Sequence, residues 1–346
     1  MLRRGASKSL RSPRLYEIPA PDGKPPVPDG RAQRASGYHQ GMFSYRHAFH
    51  AGNHADVLKH ITLIATLRHL MQKEAGLTLI DTHAGAGLYR LDGDYTETGG
   101  EAKDGVVKLM GALRAADGPS TEAVAPAIDD YLDLVASFNP SGALRVYPGS
   151  PFVMHQLLRA ESRDRLKLFE LHPTDSRTLS ANVAQLEAGR QIAVVREDGF
   201  EGVKPLLPPP PSATGSKRAM VLIDPSYEIK SDYGKVSACI QELIRRFPTG
   251  TYLVWYPVIP RPEAHDLPRR LRTLSNQAQK PWLNATLAIG QDPTHGPDDR
   301  PGLTASGMFV INPPHTLKGT LQAALPQLLA HLGRGRGKSQ ALESGG

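Results

Sequence analysis

Short runs of apolar residues alternate with longer amphipathic stretches along most of this chain. LTLID (77–81), RLKLFELHP (165–173), IAVVREDGF (192–200), AMVLIDPSY (219–227) and GTYLVWYPV (250–258) each contain a strand-length apolar run. LNATLAIG (283–290) and GMFVINPP (307–314) read as two further strands. ADVLKHITLIATLRHLMQK (55–73) carries apolar residues at helical spacing, with its basic residues on the other side. Residues 105–114, 122–136, 175–188 and 232–247 also read as helices, and Pro151 opens a short one. This alternation predicts an α/β fold, a doubly wound and mostly parallel sheet covered on both faces.

In such sheets ligands sit outside the carboxyl ends of the strands. Asp81, His83, Glu170, Asp198 and Asp224 all fall at those ends. THAGAG (82–87) follows the first strand, and Gly85 and Gly87 let backbone approach a ligand closely. The loop lacks the GxxxxGK[ST] spacing of a phosphate-binding loop. It also lacks an acid about 20 residues on, which a dinucleotide site wants. A different adenosine ligand fits better. Glu170 suits two ribose hydroxyls, since a carboxylate accepts from both. Asp198 suits an adenine amino group, although Asp-Gly is also a common turn.

IDPSY (223–227) is the most informative string. The Asp224 carboxylate and the Pro225 carbonyl are two acceptors, matching the two protons of an exocyclic amine. Tyr227 offers a face on which an extruded base can stack. An ordinary Asp-Pro turn is the alternative. His47, His50, His54 and His60 cluster in 44–60, but Gly52 and Asn53 interrupt the helical spacing that a zinc site would use. No metal is expected.

Charge refines the picture. The chain has 346 residues and a formal net charge of +7. Residues 1–41 carry +5, the tail from Arg334 carries +2, and the body between is neutral. Positive charge invites a nucleic-acid reading, but any such surface on the neutral body must come from local clusters, for which Arg245, Arg246, Arg269, Arg270 and Arg272 are candidates beside the reading of solvated helix faces. Residues 1–41 are rich in Pro, Gly, Ser and Arg and read as disordered, as does the tail 334–346. One cysteine, Cys239, rules out an internal disulfide. No apolar run reaches the length of a membrane span, so a cytoplasmic location is expected.

FSYRHAFHAGNHADVLKH, IDTHAGAGLY, YPGSPFVMHQLLR, LKLFELHP, EDGF, IDPSY, GTYLVWYPV and ASGMFVINPP, in that order, resemble the RlmJ family. The likeness runs from Met42 to about Pro314 and, scattered, to about residue 333. The resemblance implies a Rossmann-like class I methyltransferase with a seven-stranded sheet and a small helical insertion at about 92–145. It implies methylation at N6 of an adenine in 23S ribosomal RNA, of the adenine 2030 type. The methyl donor would be S-adenosylmethionine, the RNA protein-free, and the enzyme a monomer. Lys59, His60, His83, Gly85, Gly87, Ser150, Glu170, Asp198, Gly199 and Asp224 match the family's cofactor motifs. Asp224, with Pro225 and Tyr227, matches its catalytic motif, and Tyr45 and His47 match residues near its substrate site.

Two departures accompany the likeness. Ser226 stands where the family has a second proline, which loosens that turn. The family also begins near the equivalent of Met42, so 1–41 reads as an extension or an upstream translation. DNA adenine-N6 methylation, ribosomal RNA guanine-N2 methylation, or an impaired RNA-binding homologue are the other readings of the same motif.

Overall fold

The computed structural model describes residues 50–91, 101–114, 123–159, 161–212, 215–291 and 302–346. The extension 1–41 and nearly all of the loop 291–302 lie outside them. In chain order the strands are β1 (Thr78–Asp81), β2 (Leu88–Arg90), β3 (Val146–Pro148), β4 (Arg165–Phe169), β5 (Ile192–Val195), β6 (Ala219–Ile223), β7 (Thr251–Pro257), β8 (Trp282–Ala288), β9 (Ala305–Ile311) and β10 (Ser339–Gly345). The helices are α1 (His54–Leu70), α2 (Lys108–Arg114), α3 (Pro126–Ser137), α4 (Ser150–Leu157), α5 (Pro173–Ala184), α6 (Gly199–Gly202), α7 (Ser231–Arg246), α8 (Pro262–Gln277) and α9 (Leu317–Leu332).

β1 lies inside the main sheet, parallel to β4 on one side and to β6 on the other. β5 extends the β4 side and β7 the β6 side, both parallel. β9 then runs antiparallel to β7, and β8 antiparallel to β9. The full order is β10-β8-β9-β7-β6-β1-β4-β5. The chain leaves β1 in opposite directions along the sheet, which opens a crevice at the carboxyl ends of β1, β4 and β6. Side-chain alternation divides the interior in two. Leu79, Met220 and Leu222 enter the core under α1, α4 and α9. Ile80, Val221 and Ile223 enter the core under α7 and α8. This is the Rossmann-like class I methyltransferase architecture, with every expected strand present and one more in the main sheet.

The additional strand corrects the reading of 334–346 as disordered. β10 pairs with β8 from Ser339↔Ala288 to Gly345↔Trp282. Gly335 and Gly337, at φ +55° and +78°, turn the chain back from α9. Leu342 then packs against the core. The glycine and arginine content that mimics disorder is the turn feeding this strand.

α1 also departs from expectation. Its basic residues do not all face water: Lys59 and His60 are buried, because α3, α4 and α9 surround the helix. Asn53 caps it, with Oδ1 accepting from the amides of Ala55 at 2.9 Å and Asp56 at 3.0 Å. Between β2 and β3 stand a π-helical turn, Lys103–Val107, then α2 and α3. No helix among the described residues is long and apolar enough to cross a membrane.

Candidate active site

β1 ends on Asp81, and the chain turns at once into the glycine loop. Asp81 is fully buried. Its Oδ2 accepts from the Ser150 hydroxyl at 2.6 Å, and its Oδ1 accepts from the His83 amide at 3.2 Å. Burial pushes Asp81 up to about 6 despite both bonds. Ser150 begins α4, so this carboxyl group fastens that helix to the loop.

Gly85 adopts φ +60°, a conformation that disfavours a side chain. Its amide donates to Glu170 Oε2 at 2.8 Å, while Glu170 Oε1 accepts from the His172 amide at 2.7 Å. Burial raises the Glu170 pKa, and the two amides oppose that rise. A carboxylate has about four acceptor positions, so Glu170 retains capacity for hydroxyl donors. Asp198, beyond β5, caps α6 by accepting from the Phe200 amide at 2.9 Å. The Phe200 ring meets His83 edge-on, with centroids 4.7 Å apart.

Asp224 follows β6. Its Oδ2 accepts from Lys59 Nζ at 2.6 Å, and the same ammonium reaches Asp56 Oδ1 at 2.7 Å. Asp56 Oδ2 also accepts from the Gly52 amide at 2.9 Å. Lys59 is buried, with its side chain only 4% exposed. Burial alone would lower its pKa, but the two carboxylates outweigh burial and raise it.

One cleft joins these groups. Lys59, His83, Gly85, Ser150, Glu170, Asp198, Gly199, Asp224 and Pro225 all line it, with Ser226 beside them. Three expected site residues do not line it. His60 is buried with its ring stacked on Tyr147, and its Nδ1 lies 2.9 Å from the Tyr147 hydroxyl. At Gly87, φ is +80°, and a Cβ would strike Leu179 and Phe152; its backbone carbonyl accepts from the Gly149 amide. Tyr227 is the larger correction. The residue is 2% exposed, and its ring packs against Tyr233 and Trp255, with its hydroxyl donating to the Trp255 carbonyl at 2.6 Å. It anchors the turn from behind instead of offering a face to the cleft. Tyr45 and His47 lie outside the described residues.

Sequence reasoning missed Asp56, Leu171 and Ile229. The i, i+3 spacing of Asp56 and Lys59 on a predicted helix was a usable signal for an ion pair. Leu171 and Ile229 carry no periodic signal, because each lies in a turn after a strand. Arg245 and Arg246 both bind Glu242, at 2.7 Å and 2.5 Å, as neighbours on one exposed helix face.

Two histidines give a pH prediction. Burial pushes His54 and His83 down to about 4 from an ordinary 6.5. Their neutral forms are favoured in the fold, so what each contributes to stability is complete above about pH 6.5. It is lost as pH falls toward 4. Replacing His54 with leucine is expected to shrink the loss of stability between pH 7 and pH 5 by on the order of 2 kcal/mol. Urea unfolding of both proteins at the two pH values measures it; equal losses would refute the assignment.

Comparison with known proteins identifies the family. Residues 74–342 match the family model described as Ribosomal RNA large subunit methyltransferase D, RlmJ. The Haemophilus influenzae protein named Ribosomal RNA large subunit methyltransferase J is 41% identical over 288 residues, spanning 83% of this chain and 93% of that protein. The Escherichia coli protein of the same name is 40% identical over 291 residues, spanning 84% and 94%. A crystal structure of a Legionella pneumophila protein superposes with a TM-score of 0.71 at 33% identity, covering 86% of this chain and 98% of that one. Matched by that family model over most of its length, and aligned almost end to end with these relatives, the chain belongs to the RlmJ family of ribosomal RNA large subunit methyltransferases.

Proposed function

We propose that this protein methylates N6 of a specific adenine, of the 2030 type, in protein-free 23S ribosomal RNA. S-adenosylmethionine, when bound, supplies an electrophilic methyl group on a sulfonium. The donor set of the cleft fits that cofactor. Glu170 would accept from the ribose hydroxyls, and Asp198 would accept from the adenine amine. Leu171, half exposed beside Glu170, gives the adenine an apolar neighbour. His83, Gly85, Ser150 and Gly199 complete the wall.

The observation that carries the reading is the Asp224 carboxylate, held at the cleft by a buried lysine. Lys59 occupies Oδ2, which leaves Oδ1 for the acceptor amine. One amine hydrogen goes to Asp224 Oδ1 and the other to the Pro225 carbonyl. These two bonds fix the amine's orientation, and most of the rate comes from that positioning. The amine is too weak an acid for a carboxylate to deprotonate it first. Its proton would therefore leave only as the methyl–nitrogen bond forms and the methyl–sulfur bond breaks, passing to Asp224 Oδ1 while the sulfur departs as a neutral thioether. The chemistry requires no metal. Ser226 leaves the turn without the second proline ring, which lowers the rate without removing either acceptor.

The test uses radiolabelled S-adenosylmethionine and 23S ribosomal RNA from cells lacking the modification. Label in N6-methyladenosine is the expected result. Label in N2-methylguanosine, or preferential transfer to duplex DNA, would replace the proposed acceptor. Cofactor binding without transfer would point to an impaired homologue and make Ser226→Pro the decisive variant.

A further inference from the structure

Among the described residues only three large apolar side chains stand well exposed: Val107, Leu171 and Ile229. Isolated exposed apolar residues are ordinary, but two of these three line the same cleft. Leu171 adjoins Glu170, at the nucleoside end. Ile229 is 40% exposed and lies on the turn that carries Asp224, Pro225 and Ser226. The aromatic ring of that turn is unavailable. Tyr227 is held at φ +56°, its ring lies between Tyr233 and Trp255, and its hydroxyl is engaged by the Trp255 carbonyl. Tyr233 and Trp255 belong to α7 and β7, so withdrawing the ring would disrupt packing between two elements.

The geometry points to Ile229 as the apolar contact for the acceptor adenine, with Tyr227 as the anchor that sets the turn. This rests on the proposed adenine acceptor. A base has two faces to cover once it leaves its stack, and covering them offsets part of the unstacking cost. Ile229 lies five residues beyond Asp224, on the same loop, so it contacts the base whose amine Asp224 receives. Its side chain bears on the acceptor, not on the cofactor, because the groups suited to the cofactor lie on the loops after β1, β4 and β5 and at the start of α4.

The experiment measures steady-state methylation of the 23S ribosomal RNA by the wild type, Ile229→Ala and Ile229→Leu, with S-adenosylmethionine affinity measured by calorimetry. Ile229→Ala is expected to raise KM for the RNA about tenfold, with kcat changed less than about twofold and cofactor affinity unchanged. Ile229→Leu is expected to restore KM, and neither change should move the urea midpoint of so exposed a position. An unmoved KM in Ile229→Ala, or a matching loss of cofactor affinity, overturns the assignment while the wild type still methylates. Failure of the wild type to label adenine overturns the adenine acceptor itself, and Ile229 with it.

Discussion

Asp224→Asn is expected to lower methyl transfer at least about a hundredfold while leaving cofactor binding measurable. Asparagine keeps the shape but carries only one acceptor oxygen. If that oxygen faces Lys59, the amide nitrogen meets the acceptor amine, donor against donor. If it faces the amine, the amide nitrogen meets the Lys59 ammonium. Neither orientation serves both partners. The reciprocal variant, Lys59→Met, is expected to be worse for stability. It leaves Asp56 and Asp224 in the same corner with no cation between them. Removing one partner of a buried pair costs about 3–5 kcal/mol, and here two carboxylates lose it together. Asp224→Asn leaves Lys59 still paired with Asp56, so its cost falls below that range. Single-turnover transfer and urea unfolding of both variants measure these effects. Wild-type transfer by Asp224→Asn would show that the carboxylate is not the acceptor of the amine.

The second large effect is expected at Gly199. A Cβ placed there would lie 1.9 Å from the Thr82 carbonyl oxygen and 2.7 Å from its carbonyl carbon. Both are backbone atoms of the loop after β1, so no side-chain rotation relieves the clash. The loops after β1 and β5 must separate, and they hold His83, Gly85 and Asp198 in the cleft. Gly199→Ala is therefore expected to cost about 3 kcal/mol or more and to abolish cofactor binding at concentrations that saturate the wild type. Gly234→Ala is the matched control. Its Cβ meets nothing within 4 Å, and the residue lies inside α7. A helical glycine in open space gains about 0.5–1 kcal/mol on becoming alanine. Thermal unfolding and calorimetry read both, and a Gly199→Ala protein as stable as the wild type would mean the loops separate freely.

The elements that sequence missed each lack a local signal. α8 and α9 contain Pro268 and Pro326, which a sequence reading takes as helix breaks. Each proline removes one helix hydrogen bond, and burial of Leu267 and Leu271, or of Leu325 and Leu328, offsets that loss. β2 and β3 are three residues each, too short to show alternation. β10 reads as a polar tail, because an edge strand facing water needs little apolar content. Pairing with β8 makes it a strand, and nothing within the tail announces that partner.

The sequence by itself determined seven strands of the main sheet, the helices α1, α5 and α7, and the carboxyl-edge positions of Asp81, Glu170, Asp198 and Asp224. All are properties of local pattern: apolar runs of strand length, each stopped by an acid or a turn. The family likeness rests on the same local strings. The tertiary structure decided which side chains meet across distance. It joined Lys59 to Asp224, 165 positions apart, where helix periodicity put the lysine toward water. It turned Tyr227 inward and left Ile229 at the cleft, although the motif reading gave the tyrosine that place. Such outcomes depend on the cost of burying charge and on the space between packed helices and strands. Those energies exist only once the sheet has brought remote segments together.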